Sequence, residues 1–347
     1  MNHFFPGTLV LAAAFAALGC QNGPLVTPAL ALGQLNVTSL TGDGNNVYWT
    51  TGDGFVRSIS TNGGVVANLA QGLVAPASIA LDNDSVYWAG NGTIGRAPKA
   101  GGATEVLFDN EDGVGALQVD DSYAYWLRAP GEGIVDAAGQ VRKAPKAVAA
   151  AVQTLLSDSI DPKALALNGS LYFPADVSTP LATGTALYQL PLTGGTPVAA
   201  VTGQFTSVAS YGGSICSTGA DAQALSLDPT SGAQAITCTA LDGTNPTIVA
   251  SGLASIVTSL TLDDTNVYFG TADGTMSVVG LDGASPVMTG SVTSPDSDTI
   301  VGPTSTGASG PVVFATGPAG VASVAVDITQ VYWAHTNGNA VFALPKF

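Results

Sequence analysis

The sequence predicts an all-β fold, a β-propeller of seven four-stranded antiparallel blades. Three observations support this prediction: one motif recurs seven times, tight turns separate the apolar runs of each repeat, and a surplus run at the start matches a missing run at the end. The composition agrees, since 43 of the 347 residues are Gly, 20 are Pro and only 10% are charged. Such a composition is typical of a folded, β-rich chain.

The recurring motif is an apolar-aromatic-aromatic triplet that follows a short apolar run and an Asp-rich turn. The copies, of which the last is degraded, are Val47-Tyr48-Trp49, Val86-Tyr87-Trp88, Ala124-Tyr125-Trp126, Leu171-Tyr172-Phe173, Val267-Tyr268-Phe269, Val331-Tyr332-Trp333 and Ser214-Ile215-Cys216. They recur every ~40 to 60 residues, which suits four-stranded propeller blades. Asp stands five residues before the Tyr in five copies, at Asp43, Asp82, Asp120, Asp263 and Asp327. Because Asp side chains accept hydrogen bonds from backbone amides in turns, we assign these residues to structure.

Each repeat contains four apolar runs, which we call strands A, B, C and D. The triplet lies in strand B, and a Gly-rich turn joins strands C and D, as at Asn62-Gly63-Gly64, Gly101-Gly102, Gly194-Gly195, Asp242-Gly243 and Asp282-Gly283. Tight turns between successive runs indicate antiparallel pairing.

The two ends of the chain complement each other. The last repeat has strands A, B and C but ends at Phe347 without strand D, whereas residues 27–32 match the pattern of strand D before the first repeat begins. Pairing of this N-terminal strand with the last blade would close the ring and cover exposed strand edges. We therefore predict one propeller domain over residues 27–347, closed by the N-terminal strand.

The first residues predict export. Residues 1–19 read as a signal peptide, because Leu9 to Leu18 is almost wholly apolar and too short to span a bilayer. The run Ala17-Leu18-Gly19-Cys20 resembles a bacterial lipobox, which implies lipidation of Cys20, a tether over residues 20–26 and attachment to the outer membrane or cell surface. An ordinary secretory signal with an incidental Cys is the alternative.

The remaining cysteines predict a disulfide. With Cys20 carrying lipid, Cys216 and Cys238 form an even pair in an exported chain, placed on strands B and C of blade 5. Two separate buried thiols are the alternative.

The repeat also resembles a known family. From Leu262-Asp263 through Val267-Tyr268-Phe269 to Leu281-Asp282-Gly283, the chain is similar to the YWTD-type propeller repeat of lipoprotein-receptor ectodomains, and more similar still to repeat lipoproteins of predatory and soil bacteria. The resemblance implies a protein-binding fold without one shared chemistry. Thr50 and Thr51 follow Trp49 where the YWTD motif has Thr-Asp, and YWTD rings usually have six blades, so receptor contacts are not carried over.

The lengths of the connections differ between the two faces of the ring. In such blades the B-to-C and D-to-A connections emerge on one face, and long B-to-C loops are expected at 129–139, 174–184 and 217–232. A fourth insertion, 290–310, depends on whether Pro286-Val287-Met288 or Val312-Val313-Phe314 is strand D of blade 6. We expect the loop-rich face to bind a partner, with neutral drift of tolerant loops as the alternative.

The charge balance limits the partners. Nine Lys and Arg residues against 25 Asp and Glu residues give a net charge of −16. A field of this sign repels phosphate backbones and anionic membrane surfaces. Nucleic acid is therefore excluded as a partner, and membrane contact is expected through the lipid anchor only.

The sequence offers little for catalysis. Only His335 remains as a histidine after export, and we expect it to be an exposed loop residue rather than a lone general base. The Glu residues form no paired motif. Asp109, Glu111 and Asp112 are weak candidates for a calcium site, although a solvated turn is the preferred interpretation. No cofactor is predicted.

These observations support a membrane-anchored, non-catalytic scaffold that binds an envelope protein or a glycan through its loop-rich face. The alternative is a lyase or lactonase-like hydrolase acting in the central funnel, and a surface adhesin or coat protein is a third possibility. A funnel that collects Asp, Asn and His335 would favour the enzyme, whereas a lining of Gly, Ser, Ala and Thr would favour the scaffold.

Overall fold

The computed structural model describes residues 29–129, 139–158, 164–178, 183–221, 232–286, 292–293, 299–300, 310–317, 320–336, 338 and 340–346. These residues form β-strands joined by turns, and every sheet is antiparallel. No helix in these ranges is long and apolar enough to cross a membrane.

The first three blades follow a short strand, β1 (Ala31–Leu32). Blade 1 contains β2 (Val37–Gly42), β3 (Asn46–Thr51), β4 (Phe55–Ser60) and β5 (Ala67–Ala70). Blade 2 contains β6 (Ser78–Leu81), β7 (Ser85–Gly90), β8 (Gly92–Pro98) and β9 (Glu105–Glu111). Blade 3 contains β10 (Val114–Val119), β11 (Tyr123–Arg128), β12 (Gly139–Pro145) and β13 (Gln153–Asp158).

The next two blades repeat this order. Blade 4 contains β14 (Ala166–Leu167), β15 (Leu171–Ser178), β16 (Thr183–Leu190) and β17 (Val198–Thr202). Blade 5 contains β18 (Phe205–Tyr211), β19 (Ser214–Ala220), β20 (Gln234–Ala240) and β21 (Thr247–Leu253).

Blade 6 resolves the uncertainty over its outer strand. It contains β22 (Val257–Leu262), β23 (Asn266–Thr271), β24 (Thr275–Gly280), β25 (Val292–Thr293), β26 (Thr299–Ile300) and β27 (Val312–Thr316). The strand that pairs with β24 is β27, and β26 and β25 add to its outer edge. The insertion therefore belongs to the C-to-D connection rather than to the loop-rich face.

Blade 7 contains β28 (Val321–Val326), β29 (Gln330–His335) and β30 (Ala340–Pro345). Its fourth strand is β1, in which Ala31 pairs with Val341 and Leu32 with Ala340. Of the predicted run 27–32, Ala31 and Leu32 form the strand, Ala29 and Leu30 do not, and residues 27–28 lie outside the described residues. That the pairing of β1 with β30 stabilises the closed ring remains a prediction.

The seven sheets form a ring because each strand A contacts the strand A of the next blade, and β28 of blade 7 contacts β2 of blade 1. Hydrophobic clusters fill the spaces between successive blades. Strand alternation divides each triplet between two of them: Tyr48 packs towards blade 2, whereas Val47 and Trp49 pack towards blade 7. The predicted all-β, seven-bladed fold is confirmed.

The B-to-C connection of blade 4 is a shorter loop than expected. In blade 4, β15 and β16 pair from Leu171 with Leu190 as far as Ser178 with Thr183, so most of the predicted loop 174–184 is a longer hairpin. The centres of the connections in blades 3 and 5, residues 130–138 and 222–231, lie outside the described residues.

Candidate functional site

A central cavity of about 690 Å³ lies between the seven A strands. It opens on the face that carries the A-to-B turns, which we call the A–B face; the opposite one is the B–C face. Small side chains supply much of its wall, at Ser39, Ser78, Ala80, Ala116, Ala166, Ala209, Ser259, Ser323 and Ala325. Asp43, Asp82, Asp120 and Lys99 lie at the mouth. The wall carries the small side chains expected of a scaffold, whereas the mouth also carries the Asp and Asn side chains expected of an enzyme, without His335. The contacts of the carboxylates show which use they serve.

Serine side chains connect neighbouring A strands along this wall. Strand A is the innermost strand of its sheet, so amides on its inner edge need acceptors from elsewhere. The serine of one blade accepts from the next blade, in bonds from the Leu40 amide to Ser323 Oγ (3.1 Å), from Leu117 to Ser78 (3.0 Å) and from Val324 to Ser259 (2.9 Å). These hydroxyls link the blades at three junctions of the ring. The sequence carries their signal, a Ser four residues before the turn Asp in blades 1, 2, 6 and 7.

Five tyrosines donate their phenol hydrogen to the turn Asp of the same blade. The bonds join Tyr48 to Asp43 (3.0 Å), Tyr87 to Asp82 (2.7 Å), Tyr125 to Asp120 (2.7 Å), Tyr268 to Asp263 (3.2 Å) and Tyr332 to Asp327 (2.6 Å). The other carboxylate oxygen of each Asp accepts two backbone amides of its turn, as Asp43 does from Asn45 and Asn46. The structural assignment of these five Asp residues is confirmed.

Three lysines extend these pairs into clamps between blades. Each lysine follows a Pro at the end of strand C and reaches the Asp of the preceding blade. The ion pairs join Lys99 to Asp43 (2.8 Å), Lys146 to Asp82 (2.6 Å) and Lys346 to Asp263 (2.6 Å). We call each Tyr–Asp–Lys set an inter-blade clamp. The role of the lysines was not predicted, although a Pro-Lys pair recurs in the sequence at 98–99, 145–146 and 345–346.

The clamps keep the carboxylates ionised. Burial alone would raise the pKa of Asp82, but hydrogen bonds from Lys146, Tyr87 and two backbone amides outweigh it and lower that pKa to about 2. The same balance holds the pKa values of Asp43, Asp120, Asp263 and Asp327 below their ordinary value. A carboxylate of low pKa whose oxygens already accept several hydrogen bonds is a poor general base. The carboxylates of Asp43, Asp82 and Asp120 at the mouth therefore serve structure, whereas Asp121, which also lines the mouth, is exposed on its turn.

Blade 5 replaces the phenol–carboxylate bond with a covalent one. Cys216 and Cys238 form a disulfide, with S–S 2.06 Å, between directly paired residues of strands B and C. Strand pairing aligns Val208 with Ser217, as it aligns Leu40 with Trp49, so Cys216 occupies the Tyr position. The degraded triplet is therefore Ile215-Cys216-Ser217, and the assignment Ser214-Ile215-Cys216 was wrong by one residue. The turn Asp is also replaced, since Tyr211 stands where five other blades carry it.

His335 is not the exposed loop residue that we expected. It is the last residue of β29, its exposed fraction is 1%, and the ring of Phe342 packs edge-on against it at 5.9 Å. Gly317 lies so close to the imidazole that a Cβ there would overlap it. The side chain is buried between Phe342 of β30 and Gly317, the residue that follows β27. It is not among the residues that line the central cavity.

The candidate calcium ligands lie at the other end of blade 2, on the B–C face. Glu111 is buried and accepts hydrogen bonds from Arg142 (2.7 Å) and from the indole of Trp126 (2.9 Å), which fix blade 2 to blade 3. Asp109 accepts from Asn110. Within the described part of the chain, no group of three His, Cys, Asp or Glu side chains is arranged to hold a metal. Cys20, the predicted lipidation site, lies outside the described residues.

Comparison with solved structures reveals the same architecture. The β-propeller domain of Cps50 (Swd1) from Myceliophteria thermophila is 9% identical with a TM-score of 0.63, and the match covers 94% of this chain and 100% of that chain. The WD40 β-propeller domain of Doa1 is 12% identical with a TM-score of 0.61, covering 94% and 98%. A chain of the Mitotic Checkpoint Complex is 15% identical with a TM-score of 0.60, covering 97% and 100%.

No family model and no curated protein matches the chain. At such low identities the structural matches show the fold alone, so the YWTD-like bacterial lipoprotein type remains a prediction. By its fold, the chain is a seven-bladed β-propeller.

Proposed function

We propose that this protein is a membrane-anchored, non-catalytic scaffold that binds a protein or glycan partner of the cell envelope through its B–C face. The observation that carries the proposal is that polar side chains lining the central cavity form their bonds to other parts of the ring. Serines bond to neighbouring backbone and carboxylates bond to tyrosines, amides and lysines. Side chains engaged in this way stabilise a platform and leave recognition to the connections at its faces.

The B–C face supplies such connections. The hairpin of β15 and β16 extends to Ser178 and Thr183, and the long connections of blades 3 and 5 leave β11 and β19 at the same end of their strands. The disulfide links β19 and β20 four residue pairs below the blade 5 connection, which leaves the two strands at Ala220 and Gln234. One of the matched propellers was solved as part of a complex, the Mitotic Checkpoint Complex, which supports protein binding as a use of this fold.

Anchoring through Cys20 would hold the ring close to its membrane. At ~3.5 Å per residue the chain between Cys20 and β1 spans at most about 40 Å. A partner in the same membrane or wall is therefore favoured over a distant one.

The alternative, a lyase or lactonase-like enzyme, needs a general base that faces the central cavity. His335 is not among the lining residues, and Asp82 and Asp43 are ion-paired with lysines. Asp120 accepts the Tyr125 phenol, and Asp121 is an exposed turn residue at the rim of the cavity. We therefore prefer the scaffold.

Site-specific photo-crosslinking tests the proposal. A photo-reactive residue in place of Ser178, at the tip of the blade 4 hairpin, is expected to capture a partner in intact cells. The matched control replaces Ile248, which is 54% exposed on the outer strand of blade 5 and away from the B–C connections. Equal capture from both positions, or none from Ser178, would contradict the proposed face.

A further inference from the structure

We infer a second interaction surface on the A–B face, a groove that docks a cationic, partly apolar segment of a protein partner. The inference goes beyond the proposed function because it concerns the opposite face of the ring. The groove encloses a volume of about 530 Å³. Its walls are the A-to-B turns of blades 1, 5, 6 and 7 together with Lys346.

Two exposed apolar side chains border the groove. Ile328 is 82% exposed and Tyr211 is 46% exposed. Both depart from the repeat. Ile328 occupies the turn position that the other blades fill with Gly44, Asn83, Asp121, Gly169, Gly212 and Asp264, and Tyr211 replaces the turn Asp. Turn chemistry favours Gly, Asn and Asp at such positions, so neither departure helps the turn itself. Exposed Ile and Tyr beside a concavity are typical of contact residues for another protein.

The charge of the groove selects the occupant. Asp43, Asp263, Asp264 and Asp327 line it, and Lys346 is the cation of its described lining. Lys99 is paired with Asp43, so Asp264 and Asp327 carry the excess negative charge. Lys346 is already paired with Asp263, whereas Asp264 is exposed. The walls therefore carry an excess of negative charge, and the complementary occupant carries Lys or Arg.

The rest of the face strengthens this preference. Asp84, Asp121, Asp242 and Asp282 are exposed on turns of the same face. Their summed field would steer a positively charged partner towards the groove. In the docked state an ammonium or guanidinium group would lie between Asp264 and the Tyr211 ring, with an aliphatic neighbour against Ile328.

Titration with a labelled probe peptide tests the inference. The probe is an acetylated hexapeptide of alternating Lys and Leu, and the comparison peptides alternate Glu with Leu and Lys with Ser. Fluorescence anisotropy with the mature protein is expected to show binding of the Lys-Leu peptide that weakens as salt is raised. The Glu-Leu peptide is expected not to bind, and the Lys-Ser peptide to bind more weakly.

Variants locate the site. Ile328→Ser removes an apolar contact and is expected to weaken binding about tenfold, and Asp264→Asn about two- to fivefold. The matched control Asp242→Asn removes an exposed carboxylate of the same face outside the groove and is expected to change the Kd less than about twofold. Equal effects of Asp242→Asn and Asp264→Asn, no effect of Ile328→Ser, or no binding of the Lys-Leu peptide would each overturn the inference. Photo-crosslinking from Ser178 is expected to be unchanged in Ile328→Ser, so failure of the groove is distinguishable from failure of the proposed function.

Discussion

Lys146 of blade 3 donates a hydrogen bond of 2.6 Å to Asp82 of blade 2, across the boundary between the two sheets. The same carboxylate oxygen accepts the phenol of Tyr87 at 2.7 Å. Apolar side chains fill much of this boundary, and the clamp joins the Ser78–Leu117 bond and the Glu111–Arg142 ion pair as a directional polar link across it. The equivalent clamps at Asp43 and Asp263 make the arrangement a property of the ring rather than of one blade.

Removal of this lysine should destabilise the protein. Lys146→Met keeps most of the aliphatic chain but leaves Asp82 without its cation, and we expect a loss of about 1.5 to 3 kcal/mol in the free energy of unfolding. Urea denaturation measures it. Asp84→Asn, an exposed change in the same turn, is the matched control and should stay within about 0.5 kcal/mol of the wild type. Equal stabilities of Lys146→Met and the wild type would show that the clamp contributes nothing.

The pH dependence of this difference follows from the pKa of Asp82. That pKa is about 2 in the folded protein and about 3.9 in an unfolded chain, so the clamp's contribution is full above about pH 4 and is lost as the pH falls towards 2. The stability difference between the wild type and Lys146→Met should therefore shrink over this range.

At high pH the stabilising contribution of Tyr87 is lost as the pH rises, the opposite direction from that of Asp82. Burial and the bond to Asp82 raise the pKa of Tyr87 to about 12, against about 10 in an unfolded chain. The contribution is full below about pH 10 and is lost as the pH rises towards 12. Denaturation curves of the wild type and of Tyr87→Phe, compared at pH 7 and at pH 11.5, should converge at the higher pH. A difference that stays constant would contradict the assigned hydrogen bond.

The equivalence of Cys216 with the tyrosines can be tested by exchange. The double change Cys216→Ala with Cys238→Ala removes a crosslink between residues 22 positions apart and should cost about 3 kcal/mol. The triple change Tyr211→Asp, Cys216→Tyr and Cys238→Ser recreates the phenol–carboxylate pair of the other blades and should recover part of this loss. A triple variant less stable than the double variant would show that blade 5 cannot accommodate the tyrosine.

The role of β1 in closing the ring also awaits a test. Ala31 is buried and pairs with Val341. A chain that begins at residue 33 loses this strand, and we expect faster amide hydrogen exchange in β30 because its outer edge becomes exposed. A chain that begins at residue 29 is the control. Unchanged exchange in β30 would mean that the first strand does not protect the last blade.

Local patterns in the sequence predicted the contacts between residues that lie close together in the chain. The spacing of five residues between Asp and Tyr places both side chains at one turn, so their pairing could be anticipated. The recurring Pro-Lys marks the lysines, but not their partners, because Lys99 and Lys146 lie 56 and 64 residues from their Asp residues and meet them only when the blades pack. The burial of His335 depends in the same way on contacts between blades.

The register of a strand could be predicted only where the Tyr and the Asp of the motif are present. In blade 5 neither the Tyr nor the Asp is present, so an apolar run alone had to be aligned and was placed one residue early. In blade 6 two apolar segments fitted strand D equally well, and only pairing with β24 selected Val312–Thr316. The candidate binding surfaces were predicted in part, since the long B-to-C connections are visible in the sequence. The groove at Ile328 and Tyr211 could not be predicted, because its walls come from several blades that meet only in the ring.

Capture of partners from intact membranes tests the central claim, that the ring works as a tethered scaffold. The wild type and Cys20→Ser would be crosslinked in cells and recovered under matched conditions. We predict that the wild type recovers a defined envelope partner and that Cys20→Ser is released and loses it. Recovery of the same partners by both forms, or of none by the wild type, would contradict the account.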